Sequence, residues 1–156
     1  MRKALLILPV AFLLATGASP AADGDVVRPR AGMWQVDVAL VDLQVPDLAD
    51  EELAQLREAA LPQVESSRRI CIADTIARVG DELVEGECRY TRIGDRGTSV
   101  DRALLCTKPS GDSYDMTITG TAGLAQYDYL VRVDESDTGV TAVTRETGRY
   151  LGACPN

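Results

Sequence analysis

Tyr114-Asp115-Met116-Thr117-Ile118-Thr119-Gly120-Thr121 is followed four residues later by Gln126-Tyr127-Asp128-Tyr129-Leu130-Val131-Arg132-Val133-Asp134. In the first run Tyr114, Met116 and Ile118 alternate with Asp115, Thr117 and Thr119; in the second Tyr127, Tyr129, Val131 and Val133 share one face. A period of two is that of a strand with one face buried. The turn Asp134-Glu135-Ser136-Asp137-Thr138-Gly139 leads into a last strand over Val140 to Arg145. Upstream, runs over Glu87 to Ile93 and Thr98 to Thr107 flank Gly94-Asp95-Arg96-Gly97, which reads as a hairpin turn. Arg68 to Ala73 is a further strand, followed by a helical turn capped by Asp74. Met33 to Asp42 opens the series with Trp34, Val36, Val38 and Leu40 inward.

One segment breaks the period. Over residues 47–61, Leu53, Leu56, Ala60 and Leu61 fall at i, i+3, i+7 and i+8, the stripe of an amphipathic helix. Asp47 or Asp50 can cap its start, and Pro62 is expected to stop it. The expected fold is therefore mainly β: an antiparallel meander sheet, curved or closed in part into a barrel, with one amphipathic helix after the first strand.

At the N-terminus, Arg2 and Lys3 precede the apolar run Ala4 to Ala15, interrupted by Pro9 and followed by small residues up to Ala22. The run is far shorter than the ~20 residues of a membrane-crossing helix, and its flanks are those of a secretory signal. Residues 1–22 are assigned as signal peptide, 23–30 as a disordered arm and 31–156 as a single disulfide-linked β domain. Cleavage removes two of the 16 basic groups and none of the 24 acidic ones, leaving a net charge of −10. Such a surface excludes nucleic acid as a partner, and no stable membrane insertion is expected. The expected location is the periplasm or the exterior.

The chain has no histidine, which removes Ser-His-Asp and Cys-His catalysis. Lys108, in an apparent turn beside Pro109 and Ser110, is too solvated to serve a Ser-Lys dyad. No pair of cysteines has zinc-site spacing, and the acidic groups Asp47, Asp50, Glu51, Glu52 and Asp134, Glu135, Asp137 read as a helix start and a solvated turn rather than calcium loops. No catalytic residue, metal ligand or cofactor is assigned. A glycoside hydrolase needs only two carboxylates, but nothing singles out a pair.

Tyr114, Tyr127 and Tyr129 are the ligand-binding candidates, since a tyrosine-lined concave sheet suits an apolar or carbohydrate ligand; the competing reading makes them core. The four cysteines, Cys71, Cys88, Cys106 and Cys154, imply two disulfides in an exported chain. Cys88 and Cys106 are equidistant from Gly97 and can bridge the hairpin, leaving Cys71 with Cys154. The tightest turn, at Asp95-Arg96, would set Cys88 opposite Ala103, so this pairing requires a longer loop or a bulge. The alternative is Cys71 with Cys88 and Cys106 with Cys154.

With these residues placed, the chain resembles domain of unknown function 3617, a family of small exported bacterial proteins. The resemblance rests on Arg28-Pro29-Arg30-Ala31-Gly32-Met33-Trp34-Gln35-Val36 at the mature start, on Cys71, Cys88 and Cys106, and on the closing Gly148-Arg149-Tyr150-Leu151-Gly152-Ala153-Cys154-Pro155. Ala31, where proline is usual, and the acidic helix at 47–61 depart from the family pattern. The resemblance implies export, disulfides and β architecture, and no activity. The expected function is noncatalytic binding of a small apolar or glycan ligand or of an envelope protein partner; the alternatives are a carboxylate-based glycan hydrolase and a structural or stress-related module. Protein recovered after export should begin at Asp23, which N-terminal sequencing checks; intact Met1 in the cytoplasm would contradict both export and disulfides.

Overall fold

A computed structural model describes residues 26–72 and 87–155. The expected signal segment, its cleavage position and the turn at Asp74 lie outside the described residues. The elements are β1 (Gly32–Gln44), α1 (Asp50–Val64), β2 (Ser66–Ile72), β3 (Glu87–Ile93), β4 (Ser99–Thr107), β5 (Ser113–Ala122), β6 (Gln126–Glu135) and β7 (Thr141–Gly152). They form one antiparallel sheet in the order β2-β1-β7-β6-β5-β4-β3. The meander holds from β3 to β7; β1 then docks on the far side of β7 and carries β2 beyond it. With β2 and β3 at opposite ends of a linear order, the sheet is open and not a barrel.

One face of the sheet is the core. Trp34, Val36 and Val38 from β1, Val100, Leu104 and Cys106 from β4, Tyr114, Met116 and Ile118 from β5, and Tyr127, Tyr129 and Val131 from β6 are all buried. Each sits at an inward position of the alternation, and a fully buried side chain of this size contributes about 1.5–3 kcal/mol. The last strand runs seven residues beyond the expected Arg145, because Glu146, Gly148 and Tyr150 continue the inward phase against β1 and β6.

Glycine lets the sheet bend around its aromatic side chains. Tyr127 pairs with Gly148, and a Cβ on Gly148 would lie 1.9 Å from the Tyr127 ring. Tyr129 pairs with Gly120, whose φ of 149° and closeness to the Asp128 carbonyl (2.1 Å from an added Cβ) admit no side chain. The Tyr127 ring therefore occupies the space a side chain at 148 would need, whereas at Gly120 the close approach is to the backbone of β6.

Three register shifts adjust the ladders, one of them between Met33 and Trp34 where β1 meets β7. In β3 the register slips between Tyr90 and Arg92, which brings Cys88 directly opposite Cys106. This is the bulge that the hairpin disulfide requires, and the Cys88–Cys106 and Cys71–Cys154 bridges are both formed. In β1 the register slips between Leu40 and Asp42, leaving Val41 outside the ladder with β7. Its carbonyl accepts from the Arg57 guanidinium (3.1 Å), which also reaches Asp42 (2.9 Å).

That contact changes the expected face of α1. Leu53, Arg57, Ala60, Leu61 and Val64 are half-buried, whereas Leu56 is 42% exposed, and no residue of the helix is fully buried. The half-buried stripe thus runs through Arg57, which stands beside the bulge, in place of Leu56. Pro62 does not stop the helix; it lies in the last turn, and the Glu65 N–H closes that turn on the Leu61 carbonyl. Neither Asp47 nor Asp50 caps the start. The N-cap is Ala49, whose N–H donates to the Glu52 carboxylate (3.4 Å), half of a capping box.

Residues 26–30, expected as the end of a disordered arm, are instead bound to the sheet. The Val27 N–H donates to the Gly97 carbonyl (2.7 Å), Pro29 is buried, and Arg30 donates through Nε to the Leu124 carbonyl (3.0 Å) while stacking 4.5 Å from the Tyr150 ring centroid. The indole N–H of Trp34 donates to the Arg30 carbonyl (3.0 Å), so the buried tryptophan needs the arm as its partner.

Removing the Cys71–Cys154 bridge, which spans 83 residues, should cost about 4.5 kcal/mol in the loop-entropy view, and the 18-residue Cys88–Cys106 bridge about 3 kcal/mol. Guanidinium denaturation of the two double alanine variants checks the order; equal losses would contradict it.

Candidate functional site

The strands run between two unlike ends. At one end gather the arm, the Gly94–Gly97 turn, the β5–β6 turn and the chain terminus. Here Trp34 packs on Tyr127 (centroids 5.4 Å) and edge-on to Tyr150 (5.6 Å), and Tyr127 stacks on Tyr129 (4.7 Å).

Polar groups are also built into this half. The Tyr127 hydroxyl donates to Glu146 Oε1 (2.8 Å), and Glu146 is 3% exposed, so the phenol satisfies a carboxylate that burial would otherwise penalise. Nearby, Arg102 makes a two-pronged contact with Asp95 from the hairpin turn (2.9 and 2.7 Å), and the Asp95 carboxylate also accepts from the Asp101 N–H. The Arg102 pKa is raised: burial works against its charge, and Asp95 more than restores it. Burial pushes the Tyr129 phenol up to about 12, against the pull of Arg102, so this tyrosine is neutral at physiological pH.

The opposite end is open. A cleft of about 420 Å³ lies between the last turn of α1, represented by Gln63 and Val64, and the inner face of the sheet. Val38, Met116, Val131, Val133 and Tyr114 form its apolar walls, with Thr144 beside them. Its volume falls within the ~300–1,000 Å³ of small-molecule sites. Lys108 and Glu135 also line it, joined by a 2.5 Å ion pair with both side chains partly exposed. The Lys108 ammonium stands 5.9 Å from the Tyr114 ring centroid. Glu135 is oriented further by the Thr138 hydroxyl (3.0 Å).

The three nominated tyrosines thus divide. Tyr114 lines the cleft; Tyr127 and Tyr129, 3% and 2% exposed, lie at the other end, where Tyr127 borders a separate space of about 620 Å³ with Thr98, Thr121, Gln126, Asp128, Thr147 and Arg149. Sequence reading missed Val38, Met116, Val131 and Val133 as a wall, because alternation marks a face as inward without showing which stretch of it stays uncovered. It also missed Glu146, for which the signal existed: a carboxylate on the inward phase of a strand, between Thr144 and Gly148. In the acidic turn, Asp134 is held by Arg132 (2.7 and 2.8 Å) and by the Thr141 hydroxyl (2.6 Å), and Glu135 by Lys108, so these two carboxylates are engaged by the sheet itself. Among the described residues, no helix is long and apolar enough to cross a membrane.

A family model described as "Protein of unknown function (DUF3617)" matches residues 29–154. The chain belongs to this family. The matched span begins at the buried Pro29 and ends at Cys154, so it takes in the sheet, the bound end of the arm and the closing disulfide. No curated protein and no solved structure matches the chain.

Three carboxylates have lowered pKa values: Glu135 through its hydrogen bond with Lys108, Asp128 through Arg145, and Asp134 through Arg132. A carboxylate lowered in the folded state stabilises above the ordinary range near ~4 and loses that contribution as pH falls through its lowered value. The melting temperature should therefore hold from neutral pH to about pH 4–5 and fall below it. A pH series of melting curves checks this, and Glu135→Gln should show a shallower acid fall than the parent.

Proposed function

We propose that the protein is exported and acts without catalysis, holding a small apolar ligand in the cleft beneath the last turn of α1. The observation that carries the reading is the aliphatic lining of the cleft of about 420 Å³ beneath α1. A second space of about 620 Å³, at the aromatic end, is lined mainly by polar residues, Thr98, Thr121, Gln126, Asp128, Thr147 and Arg149, beside Tyr127, and suits an apolar ligand less well. Val38, Met116, Val131 and Val133 offer contact area and no hydrogen bonds, which suits an apolar ligand better than a glycan. Export is supported by the signal-like start and by two disulfides, bonds that persist in oxidising compartments.

Binding also accounts for the loosely seated helix better than a packing role does, since α1 buries no residue and its Arg57–Asp42 pair is exposed enough to contribute little. The neutral fluorescent probe N-phenyl-1-naphthylamine should bind the intact, disulfide-bonded protein with enhanced emission. Val133→Glu, which sets a charge into the wall, should weaken that binding at least about tenfold, the consequence of bringing an unpaired charge against an apolar ligand. Unchanged binding with an unchanged melting temperature would place the probe elsewhere. Turnover of an envelope substrate, abolished by one Asp or Glu substitution that leaves melting intact, would replace this reading with the hydrolase.

A further inference from the structure

The charged mouth of the cleft says what kind of head its ligand carries; this inference rests on the binding reading above. Lys108 is the one lysine among the described residues, and it stands at the mouth with its ammonium 2.5 Å from Glu135 and over the face of Tyr114. The side chains of Lys108 and Glu135 are 34% and 26% exposed, so both charges are reachable from solvent while the apolar wall begins directly beneath them at Tyr114, Val133 and Met116. Two further carboxylates act on Lys108, Asp112 from the β4–β5 turn and Asp137 from the β6–β7 turn. The mouth itself holds one positive and one negative charge side by side, Lys108 and Glu135.

These charges discriminate between heads. An anionic head drawn to Lys108 is repelled by Glu135 beside it. A cationic head drawn to the carboxylates meets the Lys108 ammonium already occupying the place between Glu135 and the Tyr114 ring. A head carrying both signs meets a partner for each and, being neutral overall, feels little of the acidic field. Lysine suits this exchange, because its ammonium is a compact charge on a flexible stem and can swing from Glu135 to a ligand anion. Tyr114 and Glu135 then receive the ligand's cation, the ring face through its quadrupole. At about 30 Å³ for each water-sized group, the cleft has room for on the order of a dozen, the scale of one short alkyl chain and not of a two-chain lipid.

We propose that the cleft takes a single-chain amphiphile with a zwitterionic head, its anionic group on Lys108 and its cationic group between Glu135 and the Tyr114 ring.

Calorimetric titration of the full, oxidised chain with four twelve-carbon amphiphiles below their micellar concentrations tests this: dodecylphosphocholine, dodecyl sulfate, dodecyltrimethylammonium and the uncharged dodecyl maltoside. Dodecylphosphocholine should bind about fivefold more tightly than each of the others, the scale that two partly exposed charge contacts supply. Lys108→Ala and Glu135→Gln should each bring the ratio of phosphocholine to maltoside affinity close to one, with melting curves confirming that both variants fold. Equal affinity for phosphocholine and maltoside in the parent, tighter binding of either singly charged amphiphile, or a preference that survives both substitutions would overturn the zwitterion and leave the apolar cleft standing. Failure of all four to bind would remove the cleft reading and this inference together.

Discussion

The ring of Tyr127 lying in the space that Gly148 leaves empty is the contact on which the rest of this sheet depends. Any side chain at 148 would occupy the ring's position, so the absence of a Cβ on β7 lets β6 and β1 bring Tyr127 and Trp34 together across it. From that one approach follow the Tyr127–Tyr129 stack, the edge contact of Trp34 with Tyr150, and the aim of the Tyr127 hydroxyl at Glu146. The buried carboxylate is tolerated because the aromatic cluster brings a donor to it. A domain with few aromatic residues has placed most of those it has at one end of one face.

Two of the three register shifts carry comparable weight because they convert a ladder defect into a connection. The extra residue between Tyr90 and Arg92 aligns Cys88 with Cys106, so an edge strand is held covalently as well as by its ladder. The extra residue at Val41 exposes a carbonyl that binds Arg57, which joins α1 to β1. A helix seated by polar contacts at a bulge, and by no fully buried side chain, leaves the sheet beneath its last turn uncovered.

The two ends also separate the roles of charge. Arg102 with Asp95, and Tyr127 with Glu146, are enclosed and act on stability and on the position of neighbouring groups. Lys108 with Glu135 is half open to water, flanked by Asp112 and Asp137, and borders an apolar wall. The same kind of ion pair is structural in one place and offers recognition in the other, the difference being access to solvent.

The sequence by itself determined the strands, their inward faces, the helix between the first two strands, and the need for a bulge if Cys88 and Cys106 were to pair. Those follow from local periodicity and from the arithmetic of a hairpin, both of which are written in neighbouring residues. It also carried the family resemblance, through the opening around Trp34 and the close around Tyr150 and Cys154. Only the tertiary structure decided that β1 joins β7, that Arg57 and not Leu56 reaches the sheet, that residues 26–30 cap the aromatic end, and that Tyr114 and Tyr127 border two separate spaces, one walled by aliphatic and the other by polar side chains. Each of these depends on which distant segment arrives at a given face, and alternation says that a side chain points inward without saying what, if anything, meets it there.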